Sequence, residues 1–136
     1  LHGFPAACAA LHVPRLHLPQ AALEAQPALR ERVRLLGVSV HAPEEAARAA
    51  ALGVDYVTAG HIFDTGCKPG LPGRGLDFLR EVCRASSVPV YAIGGIAAEN
   101  LAAVRDAGAA GACLMSSLMR CPDPGETIRR LRAAIS

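Results

Sequence analysis

Five short apolar runs, most of them bounded by Gly or Pro and separated by stretches of helical composition, constrain this chain more than any other feature. They are Arg15–Leu18, Leu36–Val40, Val54–Ala59, Val88–Ile93 and Gly111–Met115. Each is too short for a helix, and their near-continuous Val, Ile and Leu content suits strands buried on both faces of a parallel sheet. Between them, Pro43–Leu52 carries Glu44 and Glu45 in its first turn, where negative charge favours the helix dipole, and it stops at Gly53. Leu76–Arg84 and Ala98–Ala107 follow the same plan, the latter ending at Gly108. In the last helix Asp123 can cap, Pro124 fits the first turn and Glu126 sits at the capping-box position. Such alternation predicts right-handed βαβ units and one parallel sheet, an α/β fold.

At 136 residues and 51% hydrophobic content, the chain has the material for one domain with its own core, and no internal repeat or linker divides it. A doubly wound sheet fits this length, yet no strand is followed by GxGxxG or a P-loop lysine. A closed (β/α)8 barrel needs about 200 residues or more. The net charge of +2, the absence of basic runs and the 4% aromatic content exclude the phosphate-neutralising patch and stacking platform of a nucleic-acid binder. Long uncharged runs such as Ala85–Ala98 and Ala107–Met119 fall short of a bilayer span, so no membrane association is expected. Five cysteines, an odd number without CxxC pairs, read as residues of a reducing compartment, the cytoplasm. Cys8, Cys83, Cys113 and Cys121 are expected to be packing residues, and the His and Cys residues are too dispersed for a zinc site.

Parallel α/β sheets carry their chemistry at the carboxyl ends of the strands. The third run leads into Gly60–Gly75, a loop with five glycines, two prolines, His61, Cys67 and Lys68. Lys68 is the only lysine in a chain with thirteen arginines, so general surface composition does not account for it. An imidazole leaving a strand end beside a glycine can reach a ligand and exchange protons near neutrality, which makes His61 the candidate catalytic residue. Cys67 has no visible base partner and is a weak nucleophile candidate. The fourth run leads into Gly94-Gly95 and the fifth into Met115-Ser116. Paired glycines expose backbone amides and the serine adds a hydroxyl, so together these strand ends predict a phosphate cradle. Ser39 and His41 share one face by period two, and with Thr65 they are candidates to line the pocket. His17, inside an apolar strand, is expected to be structural.

The runs Asp55–Lys68, Gly73–Gly75, Ala92–Ile96 and Met115–Ser116, with Arg15–Leu18 and Gly37–His41, resemble the thiamine phosphate synthase/TenI superfamily over essentially the whole chain. The resemblance implies a TIM (β/α)8 barrel of which residues 1–136 form a single partial domain, about strands 4 to 8, and a chain opening on Leu1 suits the C-terminal part of a longer one. In the synthase, aspartates after the third and fourth strands hold Mg²⁺ while a pyrimidine pyrophosphate is joined to a thiazole phosphate. Those places read His2-Gly3-Phe4 and Gln20-Ala21-Ala22, without a carboxylate. His61 and Cys67 resemble the TenI branch instead, thiazole tautomerases, isomerases that aromatise a thiazole carboxylate phosphate by proton transfer. By that resemblance His61 moves the proton, Lys68 neutralises substrate charge, and Gly94, Gly95, Met115 and Ser116 hold the phosphate, with no metal or redox cofactor. The alternatives are the synthase reaction and a non-catalytic TenI-like regulatory protein. The expected partner is a phosphorylated thiazole, and unpaired edge strands predict a homo-oligomer.

Overall fold

The computed structural model describes residues 1–134. A helix α1 (Pro5–Ala10) precedes β1 (Arg15–Pro19), after which come α2 (Gln20–Ala25), a 3-10 turn (Pro27–Arg32), β2 (Leu35–Val40), α3 (Pro43–Ala51), β3 (Tyr56–Gly60) and α4 (Gly75–Ala85). β4 (Val90–Ile93), α5 (Ala98–Asp106), β5 (Gly111–Cys113), α6 (Ser116–Arg120) and α7 (Pro124–Ala133) complete the order. The five strands form one sheet in sequence order, every neighbouring pair parallel, as the βαβ alternation predicts.

Local chemistry explains the element ends. Pro43 opens α3 at a position whose N–H needs no partner, and the Asp123 carboxylate accepts from the Glu126 N–H at 2.9 Å to cap α7. The reciprocal half of that capping box is absent, because the Glu126 carboxylate turns to Arg129 at 2.9 Å. Two strands are shorter at their starts than their apolar runs. β3 begins at Tyr56 because the Asp55 carboxylate takes the Leu36 N–H at 2.7 Å and the Arg30 guanidinium at 3.0 Å. β4 begins after Pro89, which has no N–H to give to a ladder. β5 stops at Cys113, since the chain turns at Met115 into α6.

Strand alternation divides the sheet into two unlike faces. Leu16, Leu18, Leu36, Val38, Val40, Val57, Ala59, Val90 and Ala92 are buried on one face in a core shared with Leu23, Ala46, Ala49, Leu79, Val82, Leu101 and Val104 of the helices. Fully burying each Leu or Val contributes about 1.5–3 kcal/mol. The other face bears His17, Gly37, Ser39, Tyr56, Thr58, Tyr91, Ile93, Gly111 and Cys113. Small and large residues alternate along it: a Cβ on Gly37 would enter the Tyr56 ring, and one on Gly111 would meet the Tyr91 ring at 3.0 Å. Layering of this kind fills the interior of barrels.

The first strand is less of an edge than expected. Residues 1–3 run parallel beside it, with the His17 N–H on the Leu1 carbonyl and the Gly3 N–H on the His17 carbonyl, both at 2.8 Å. At the other end no further strand pairs with β5 among the described residues. No described helix is long and apolar enough to cross a membrane.

Candidate functional site

Four strands, β2 to β5, bring their carboxyl ends to one cavity of about 530 Å³, within the usual range for small-molecule sites. Ser39 and His41 reach it from the end of β2, Thr58 and His61 from β3, and Thr65, Cys67 and Lys68 from the loop that follows. Gly94 and Gly95 enter after β4, and Cys113, Met115 and Ser116 with β5 and the start of α6. Every site residue singled out in the sequence therefore lines the same cavity. Two expectations need correction. Cys113, taken for packing, faces the cavity, with burial pushing its thiol pKa up. His41 lies past the last residue of β2 and is exposed, so period two does not fix its direction.

The loop between β3 and α4 is held in shape by its own backbone. At its base the Arg74 N–H donates to the His61 carbonyl at 3.0 Å and the Gly75 N–H to the Ile62 carbonyl at 2.8 Å. The Asp64 carboxylate accepts the Gly73 N–H at 2.6 Å, closing residues 64–73 into a compact loop that presents Lys68. Gly73 permits the close approach, since a Cβ there would sit 2.6 Å from the Ile62 carbonyl oxygen.

His61 is buried, and its Nε2 lies 3.2 Å from the Leu71 carbonyl. A carbonyl only accepts, so Nε2 carries a proton, and the tautomer this selects has its lone pair on Nδ1. Arg74 reaches across the rim, donating to the His41 carbonyl at 2.7 Å with its guanidinium 5.2 Å from the Phe78 ring centre. Burial pulls the His41 pKa down; Glu45 opposes this, while Arg74, Lys68 and His61 reinforce it. Four cationic or basic groups thus share the mouth, a field suited to an anion.

The turn after β4 is built differently. Gly94 and Gly95 both have left-handed φ, 97° and 66°, and a Cβ on Gly94 would collide with the His61 Cβ. The carbonyls of Ile93 and Gly94 accept from Ile62 and Phe63, and the Asn100 side chain donates to the Gly95 carbonyl at 3.0 Å while accepting from Ala97. With its carbonyls occupied, the turn has only N–H groups to offer a ligand, donors that match a phosphate.

Beneath the β2–β3 side lies a polar network centred on His17, whose place inside an apolar strand marks it only as structural. His17 Nδ1 is 3.1 Å from the Tyr56 hydroxyl and Nε2 is 2.9 Å from the Ser39 hydroxyl. The Thr58 hydroxyl donates to Ser39 at 3.2 Å. Burial, then His2 and the terminal amine, pull the His17 pKa down to about 4. The ring is neutral at pH 7. Between pH 6.5, the ordinary imidazole value, and pH 4 the unfolded chain binds this proton and the folded chain does not, so folding stability falls as pH drops through that window. Thermal unfolding midpoints should decline over this range in the native chain and less in His17→Gln; identical profiles would refute the account.

No group of three or more His, Cys, Asp or Glu among the described residues could hold a metal ion. Asp64, the carboxylate lining the cavity, is engaged by Gly73. Near β1, His2 pairs beside His17, Phe4 is exposed, and Gln20 is buried with its Nε2 on Glu24 and its Oε1 unpaired. The Glu24 carboxylate beside it is engaged by Gln20 and by Arg48 at 3.1 Å, and one free amide oxygen does not fit Mg²⁺, a hard cation that takes oxygen ligands in an octahedron.

A family model described as thiamine monophosphate synthase matches residues 5–118. The chain is 38% identical to a thiamine-phosphate synthase of Thermus thermophilus over 133 residues, spanning 97% of this chain and 65% of that one. It is 43% identical to a thiamine-phosphate synthase of a Roseiflexus species over 104 residues, spanning 76% of this chain and 44% of the relative. Among solved structures, a thiamine phosphate pyrophosphorylase from Pyrococcus furiosus superposes with a TM-score of 0.77 at 28% identity, covering 98% of this chain and 65% of that one. The chain thus spans just under two thirds of the Thermus and Pyrococcus proteins. The Thermus and Roseiflexus relatives carry the name of the synthase and none of the three is named a tautomerase, so the branch suggested by His61 and Cys67 finds no support in them.

Proposed function

The chain belongs to the thiamine monophosphate synthase family, and from that premise we propose that its cavity holds the thiazole phosphate in a reaction that joins it to a pyrimidine pyrophosphate. One observation carries the reading: three successive loops bring Lys68, the Gly94–Gly95 turn and Ser116 to one cavity. The glycine amides and the Ser116 hydroxyl hold the phosphate, Met115 lies beside them, and Lys68 neutralises the second anion at the mouth. Because the donor set does not fit Mg²⁺, no step is assigned to a metal. In the same reading β1 to β5 correspond to strands 4 to 8 of a (β/α)8 barrel, supported by the consecutive parallel order and the likeness to the Pyrococcus enzyme. Such a small-molecule step suits the cytoplasm.

A second reading, the thiazole tautomerase, is favoured by His61 alone. Its Nδ1 lone pair is left free by the Leu71 contact, and one imidazole can remove and return a proton. Supplying both substrates of the coupling, with and without Mg²⁺, and separately the non-aromatic thiazole carboxylate phosphate, distinguishes the two. Thiamine phosphate formation supports the first reading. Aromatisation without coupling replaces it with the second, and no binding of orthophosphate or thiazole phosphate refutes both.

The open edge of β5 is expected to drive self-association of the 136-residue chain. Sedimentation at rising concentration checks this. A monomer at all concentrations, as thermally stable as the Thermus relative, would show that the five strands are self-sufficient.

A further inference from the structure

Opposite the phosphate cradle, the cavity ends on two hydroxyls, Ser39 and Thr58, which are partners in the β2–β3 register. Strands in a sheet stand about 4.8 Å apart, so this end lies roughly 10 Å, two strand spacings, from the gap between β4 and β5. That is about the length of a phosphorylated side chain plus a five-membered ring. A hydroxyl can donate or accept and rotates freely, so it recognises a ligand atom only when something fixes its direction.

His17 supplies that constraint. Its ring is clasped at both nitrogens, by Tyr56 at 3.1 Å and Ser39 at 2.9 Å, and its Nε2 also lies 3.4 Å from the Thr58 hydroxyl. The Tyr56 ring occupies the space left by the missing side chain of Gly37, the residue paired with His17 in the neighbouring strand. Tyr56 in turn packs edge-on against Tyr91 at 5.7 Å between ring centres, so its hydroxyl has little freedom to leave Nδ1. His17 itself does not line the cavity, so it acts through the two hydroxyls that do. We propose that His17 is a positioning residue which, by bridging the Tyr56 and Ser39 hydroxyls, orients the Ser39–Thr58 pair to bind the heterocyclic end of a phosphorylated heterocycle. This rests on the proposed phosphate site, because the phosphate determines which end of the ligand reaches the pair. A neutral imidazole at pH 7 serves the role, since it can donate at one nitrogen and accept at the other.

The test is a split between two ligands. Orthophosphate probes the cradle alone and thiazole phosphate probes both ends, each titrated by calorimetry into the native chain, His17→Leu, His17→Gln and Tyr56→Phe. His17→Leu is expected to raise the Kd for thiazole phosphate about tenfold, the worth of one or two hydrogen bonds, while the Kd for orthophosphate stays within twofold. His17→Gln, whose amide can still reach Ser39, should recover binding to within about threefold of native, the shortfall being at most one hydrogen bond. Unchanged thiazole phosphate binding in His17→Leu, or equal loss of both ligands, overturns the positioning role. Should His17→Leu fail to fold, Tyr56→Phe decides: a selective loss of thiazole phosphate affinity supports the role and no change refutes it. A native chain that binds neither ligand refutes the proposed phosphate site itself, whereas native binding of both with no split among the variants refutes only the part given to His17.

Discussion

Replacing Gly94 with Ala is expected to abolish ligand binding and to weaken the fold. The residue sits at φ 97°, which L side chains rarely adopt, and its Cβ would be built into the Cβ of His61 with the His61 Cα at 2.8 Å. Left-handed strain costs about 1–3 kcal/mol and overpacking about the same again. Neither neighbour can yield easily, because His61 is buried and tied to Leu71 while the Ile93 and Gly94 carbonyls are tied to Ile62 and Phe63. The turn should therefore open, turning its amides out of position, and orthophosphate affinity should fall by about 100-fold or more, the loss of two charge-assisted hydrogen bonds. Urea unfolding and phosphate titration read the two effects. Gly66→Ala, where no atom lies within 4 Å and φ is not left-handed, is the control and should leave stability near native. Native-like phosphate affinity in Gly94→Ala would remove the cradle from the site.

The second large effect separates the two reactions. His61→Gln keeps an N–H that can reach the Leu71 carbonyl but has no nitrogen that takes and returns a proton. If the chain aromatises a thiazole carboxylate phosphate, the variant should lose about 10²- to 10⁴-fold in rate, the usual worth of general acid–base catalysis. If it couples thiazole phosphate to a pyrimidine pyrophosphate, His61 only shapes the cavity wall, and coupling should change by less than about tenfold, one hydrogen bond's worth. A loss of proton transfer below threefold would remove His61 from any catalytic role.

Much of this molecule was legible along the chain. Proline and glycine stand at both ends of Arg15–Pro19 and Val90–Ile93, apolar content marks Leu35–Val40, and the run from Gly60 to Gly75 announces itself by its content of His61, Cys67 and the sole lysine. Both signals are local: φ restrictions, missing donors and side-chain period act within a few residues. The family likeness, too, rests on such runs, although the branch it suggested does not match the names of the relatives.

What only the tertiary structure decided involves partners distant in sequence. His17 meets Ser39 and Tyr56 across separations of 22 and 39 residues, so the register of three parallel strands determines whether it is structural or part of the site's support. Cys113 faces the cavity because β5 pairs in register with β4, a relation that its own neighbours do not encode. The pairing of residues 1–3 with β1 likewise comes from the far side of α1. The sequence by itself determined the elements and the chemistry at their ends, since those follow from local backbone and side-chain preferences. Which of those groups meet was decided by strand pairing, a contact between residues that a crossover holds far apart in the chain.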